Sequence, residues 1–97
     1  MVTTALSAIT GSSALEAPTV VVPEAGEVEC FPRVDDDLAD LRAPLRGLFA
    51  TGWRITVLVA AGRMGEAHRS LRGVPVTIQP WWEDPDGAVC FGGPEVP

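Results

Sequence analysis

The 97-residue chain contains no lysine, no asparagine and no tyrosine, and its seven basic residues other than one histidine are all arginine. The missing residues have A/T-rich codons, so the skew indicates a GC-rich bacterial genome rather than a functional demand for arginine. No wholly apolar run exceeds residues 57–61, far below the ~20 residues of a membrane span. Residues 1–17 carry no basic residue and do not resemble a cleaved signal peptide. These absences predict a cytoplasmic protein without a membrane segment.

Side chains suited to catalysis or metal binding are also few. The two cysteines, Cys30 and Cys90, stand sixty residues apart, and no Cys-x-x-Cys pair is present. Such spacing predicts reduced, buried thiols rather than a zinc site. With His68 as the one histidine, the sequence favours a protein that is not an enzyme and predicts no cofactor and no metal. One alternative is a small enzyme or enzyme subunit whose site, built on His68 or a cysteine, is completed by another chain.

Length and composition are those of one small globular domain, with 46% apolar and 21% charged residues. We predict a flexible N-terminal tail over residues 1–18 and a single domain over residues 19–93. The net charge is −6, and all seven arginines lie between residues 33 and 72. The acidic ends disfavour nucleic acid and anionic lipid as partners.

Hydrophobic periodicity predicts five strands and two helices. Alternation with period two indicates strands, and apolar residues at spacings of three and four indicate a helix. Pro44 predicts either a kink in the first helix or its end near Ala43. The predicted elements are strands at 19–22 and 27–31, a helix at 35–49, a strand at 53–60, a short helix near 65–71, and a hairpin over 76–92 that turns at 84–87.

This order predicts an α+β fold. We expect a small single-layer, mostly antiparallel sheet of four to five strands with one main helix packed on one face, in the order β-β-α-β-(α)-β-β.

The adjacent tryptophans of the hairpin must point to opposite faces of their strand. Trp82 shares parity with Ile78 and is predicted to lie in the core, whereas Trp81 is predicted to face outward. A bulge at Pro80 would exchange the two.

An exposed indole beside carboxylates suits a protein partner. The sequence therefore favours a small acidic interaction module, such as a regulator, inhibitor or accessory subunit, that binds another protein or itself. A strand added to a free sheet edge is a second mode of the same function. The predicted partner-binding residues are Trp81, Glu83, Asp84 and Asp86.

The only basic cluster supports a different hypothesis, a phosphate-ligand or nucleic-acid binder. On a helix over 65–72, side chains three and four residues apart share a face. A solvated helix face that pairs with Glu66 or with the acidic run at 35–37 explains the same pattern without a ligand. The predicted anion-binding residues are Arg63, His68, Arg69 and Arg72.

Overall fold

The structure, a computed structural model, describes residues 18–97, so the predicted tail lies outside the described residues except for Pro18. The predicted order of elements matches the observed one. The strands and helices are β1 (Thr19–Val22), β2 (Glu27–Cys30), α1 (Arg42–Ala50), β3 (Arg54–Ala60), α2 (Met64–Ser70), β4 (Thr77–Glu83) and β5 (Val89–Phe91).

The five strands form one mixed sheet in the order β1-β2-β3-β4-β5. The outer pairs, β1–β2 and β4–β5, are antiparallel, whereas β2–β3 and β3–β4 are parallel. The prediction of a mostly antiparallel sheet is therefore wrong for half of the pairings. The reason is that a connection through a helix brings the chain back in the same direction. Both inner connections contain a helix, so the fold has two short helices rather than one main helix.

The first crossover begins as a 3-10 turn at Leu38–Leu41 and continues as α1. The Asp37 carboxylate caps the turn by accepting the backbone N–H of Ala39 at 3.0 Å. Pro44 occupies the third position of α1, within the first turn, where an amide has no partner inside the helix. The proline therefore marks the start of the α-helix and neither kinks nor ends it.

The core lies between the two helices and one face of the sheet. Alternate residues of the central strands, such as Ile55, Val57 and Val59 of β3, point into it and are almost fully buried. Leu45 and Leu48 of α1 and Leu71 after α2 meet them from the helix side.

The C-terminal segment continues along β4 beyond β5. Glu95 and Ile78 exchange two backbone hydrogen bonds of 2.7 and 2.8 Å. The Glu95 carboxylate reaches His68 Nε2 of α2 at 2.6 Å. Within residues 18–97, no helix has the length and apolar character needed to cross a membrane.

Candidate functional site

The sheet surface opposite the two helices, here called the open face, carries an apolar centre. Leu58 is 4% exposed, yet it lies outside the cluster of core residues. The alternation of β3 explains this, because Val57 and Val59 point to the helices and Leu58 to the other side. In residues 18–97 both helices pack on the core side, so Leu58 is covered by its neighbours on the sheet.

Those neighbours surround a shallow cavity of about 230 Å³. Phe31 and Phe91 form two of its walls, and Phe91 is 53% exposed. Gln79 forms part of the rim and donates its side-chain amide to the Gly92 carbonyl at 2.8 Å. Trp81 stands opposite Phe91 in the β4–β5 register and is half-buried on the same face. The open face thus presents a largely aromatic depression.

Acidic residues flank this depression. Glu29 lies on the rim of the depression and, like Glu27, on the side of β2. Glu83 lies on the opposite side, at the end of β4. The positively charged Arg54 lies on the same surface, and its Nη2 atom bonds the Glu27 carboxylate at 3.0 Å. Because that pair neutralises itself, Glu29 and Glu83 leave the surroundings of the apolar centre negative.

The prediction that Trp82 belongs to the core is wrong, since this residue is 42% exposed. Trp82 does lie on the core side of the sheet, but burial there decreases from Ile78 through Pro80 to Trp82. The end of β4 therefore extends beyond the helix layer. Trp81 lies on the side of Thr77 and Gln79, as predicted from parity.

The three acids of the hairpin have different surroundings. Asp84 Oδ1 accepts the backbone N–H groups of Asp86 and Ala88, both at 2.9 Å. This carboxylate therefore shapes the turn. Asp86 and Glu83 are exposed to solvent.

In the basic cluster, Arg63 is already engaged. It bonds both carboxylate oxygens of Glu66, at 3.1 and 2.8 Å, and the carbonyls of Arg33 and Asp36, at 3.1 and 2.7 Å. The hydrogen bond to Glu66 raises the pKa of Arg63, and the same bond lowers the pKa of Glu66. Arg63 thus joins the loop after β2 to the start of α2.

Of the other three members of the basic cluster, His68 and Arg69 lie on α2, whereas Arg72 lies beyond the end of the helix at Ser70. His68 pairs with Glu95, whereas Arg69 and Arg72 are exposed. The Arg72 carbonyl accepts a hydrogen bond of 2.9 Å from the Arg42 guanidinium. The hypothesis of an anion site remains a prediction, and Arg63 would have to exchange four hydrogen bonds to take part in it.

Burial raises the pKa of the Cys30 thiol to about 12, with a smaller contribution from the negative charge of Asp36. A thiol with that pKa is almost fully protonated at neutral pH and is a poor nucleophile. Cys90, on β5, is partly exposed. Among residues 18–97 no three His, Cys, Asp or Glu side chains gather closely enough to hold a metal ion.

A second cavity, of about 390 Å³, opens at the ends where β3 and β4 begin. Phe49 of α1 and Pro75 supply apolar walls, and Glu27 and Arg54 form its charged edge. The ion pair between these two side chains satisfies the charge at this edge.

Comparison with protein-family models, with curated protein sequences and with solved structures found no match for this chain.

Sequence reasoning missed three residues of the open face: Phe31, Leu58 and Phe91. A signal for Leu58 was present, because residues 57–61 are continuously apolar and such a run has apolar side chains on both faces. The phenylalanines each follow a cysteine at a strand end, and the sequence predicts burial only for the cysteines. Only the register places both rings beside Leu58.

Proposed function

We propose that this chain is a small acidic, non-enzymatic interaction module that binds another protein through the open face of its sheet. The observation that carries the proposal is the aromatic depression around Leu58, on a face that neither helix of residues 18–97 covers. Aromatic residues at the centre of a surface patch are typical of interface hot spots.

Charge defines the chemistry of the partner. Glu29 and Glu83 flank the apolar centre, and Trp81 offers an indole face to a cation. A partner that fits presents an apolar side chain between arginine or lysine residues. A regulator, an inhibitor or an accessory subunit would bind its partner in this way.

The test places a photo-crosslinking amino acid at position 91 and, as a matched control, at position 49. Phe91 and Phe49 are 53% and 50% exposed, but Phe49 lies on α1 and lines the second cavity rather than the depression around Leu58. In the native host, we expect a discrete protein adduct from position 91 and none from position 49. Equal labelling from both positions, or no adduct from position 91, would contradict the proposal.

Two variants refine the test once the adduct is identified. Trp81→Ala is expected to weaken binding by about tenfold or more, whereas Trp82→Ala, on the opposite face of the same strand, leaves it within about twofold. The affinity is expected to fall only shallowly with added salt. A steep decrease would favour a nucleic-acid or phosphate ligand instead.

A further inference from the structure

The outer edge of β5 has unpaired backbone groups. Two hydrogen bonds between the strands fix which groups of β5 face β4. The N–H of Asp84 bonds the carbonyl of Ala88, and the N–H of Gly92 bonds the carbonyl of Pro80. Antiparallel strands alternate in the direction of their backbone groups, so the N–H and C=O groups of Val89 and Phe91 point away from β4. In residues 18–97 no strand pairs with this side of β5.

The side chains on this edge are apolar and exposed. Val89 and Phe91 are 55% and 53% exposed, and neither a charge nor a proline interrupts the strand between them. Proteins usually protect a free edge with lysine, proline or a bulge. Such protection begins only after Phe91. Gly92 pairs with Pro80, but the next contact joins Ile78 to Glu95, which leaves one extra residue on this side.

The pattern of the edge is complementary to itself. An antiparallel copy centred on Cys90 places Val89 of each chain opposite Phe91 of the other. The four outward backbone groups of each strand then find partners in the other. Cross-strand pairs of aromatic and β-branched side chains stabilise such ladders. The two copies would form one ten-stranded sheet, and their aromatic depressions would lie on the same face.

We infer that the chain associates with a second copy of itself by antiparallel pairing of the two β5 strands about Cys90. This interface goes beyond the proposed function, because it uses the edge of the sheet and leaves the depression around Leu58 open. Three-residue edges bury less than a standard interface of about 1,600 Å², so a weak dimer is expected. Cys90 reports the register, because the two central residues form a non-hydrogen-bonded pair with Cα atoms about 4.5 Å apart, within disulfide range.

The first experiment oxidises the purified chain with diamide, which takes two electrons and two protons from a pair of thiols. We expect a covalent dimer from the unmodified chain and none from Cys90→Ser, because Cys30 is buried. The matched control adds Ala88→Cys to Cys90→Ser. In the inferred register, residues 88 of the two chains lie about 14 Å apart. Dimer formation is expected to be at least tenfold slower for this control, and an equal rate would overturn the register.

The second experiment measures mass by analytical ultracentrifugation from about 10 µM to about 1 mM, without oxidant. Val89→Lys with Phe91→Lys places like charges opposite one another and is expected to give a monomer. Val89→Lys with Phe91→Glu places opposite charges together and is expected to restore the dimer. Circular dichroism is used to check that each variant folds. If the double lysine variant does not fold, the oxidation experiment with Cys90→Ser and Ala88→Cys decides the question alone.

A monomer from the unmodified chain at every concentration would overturn the inference. So would a double lysine variant that still dimerises, or masses that grow beyond a dimer, as head-to-tail pairing of β5 with β1 would give. The crosslink at position 91 is scored separately by the mass of its adduct, so failure of the dimer leaves the proposed function standing.

Discussion

Replacing Arg63 by methionine should destabilise the domain more than any ordinary surface substitution. Methionine keeps most of the aliphatic stem and removes the guanidinium. The carbonyl of Asp36, partly buried and 2.7 Å from Nη2, would lose its partner. That loss costs about 1.5–3 kcal/mol, as for other hydrogen bonds to charged groups. The exposed bond to Arg33 and the pair with Glu66 are weakened by the surrounding water and add little.

The expected loss is therefore about 1.5–3 kcal/mol, against a total of roughly 4–12 kcal/mol for a domain of this size. Urea unfolding followed by tryptophan fluorescence measures this loss. In a thermal melt, we expect the melting temperature to fall by at least about 6 °C. The stability of Arg63→Lys should lie between those of the unmodified chain and Arg63→Met, because an ammonium group cannot bond Glu66 and both carbonyls with the fork geometry of a guanidinium.

The pH dependence gives an independent check. The hydrogen bond from Arg63 lowers the pKa of Glu66 below its usual value of 4.5. The pair therefore contributes stability above that pH, and the contribution is lost as the pH falls through the lowered pKa. The difference between the unmodified chain and Arg63→Met should narrow below about pH 4.5 without vanishing, because the carbonyl bonds do not titrate. A loss below about 0.5 kcal/mol at pH 7 would refute this account of Arg63.

Three further predictions concern single positions. A methyl group on Gly92 would lie 2.7 Å from Pro80 Cγ, so Gly92→Ala should destabilise the domain by about 1–3 kcal/mol in urea unfolding. Gly93→Ala, whose methyl group would meet no atom within 4 Å, should leave the stability unchanged, and equal effects of the two changes would contradict the crowding at Gly92. Thr19 is buried and its hydroxyl has no hydrogen-bond partner in residues 18–97, so Thr19→Val should raise the free energy of unfolding by about 1 kcal/mol in calorimetry, and a loss would mean that the hydroxyl is satisfied. Because the pKa of Cys30 is raised to about 12, Ellman's reagent at pH 8 should label only the other cysteine in the folded chain and both in denaturant; two fast thiols in the folded chain would contradict the burial of Cys30.

The local elements were predictable because local patterns determine them. Residues 19–22 and 54–60 are rich in β-branched side chains, and the alternation found their strands to within one residue. The stripe of leucines and the acids before it located the first helix, although its first turn is 3-10 and its α-helical part begins only at Arg42.

The direction of the strands and the site depend on non-local contacts. Parity assigned Trp82 to the core side correctly, but it could not tell where the helices end over β4. The role of Arg63 depends on carbonyls 27 and 30 residues away in the chain, so spacing along α2 suggested an anion site instead. Phe31 and Phe91 belong to strands that only the register brings beside Leu58.

The order of the strands in the sheet is the order in which a ribosome makes them. No strand has to be inserted between two that are already paired, since each new strand joins the exposed side of the one before it. The chain can therefore assemble in the order of synthesis. The two hairpins close short loops, whereas each parallel pairing must wait for its helical crossover. Of the five strands β5 is made last, and residues 89–95 then cover the side of β4 that a shorter nascent chain leaves uncovered.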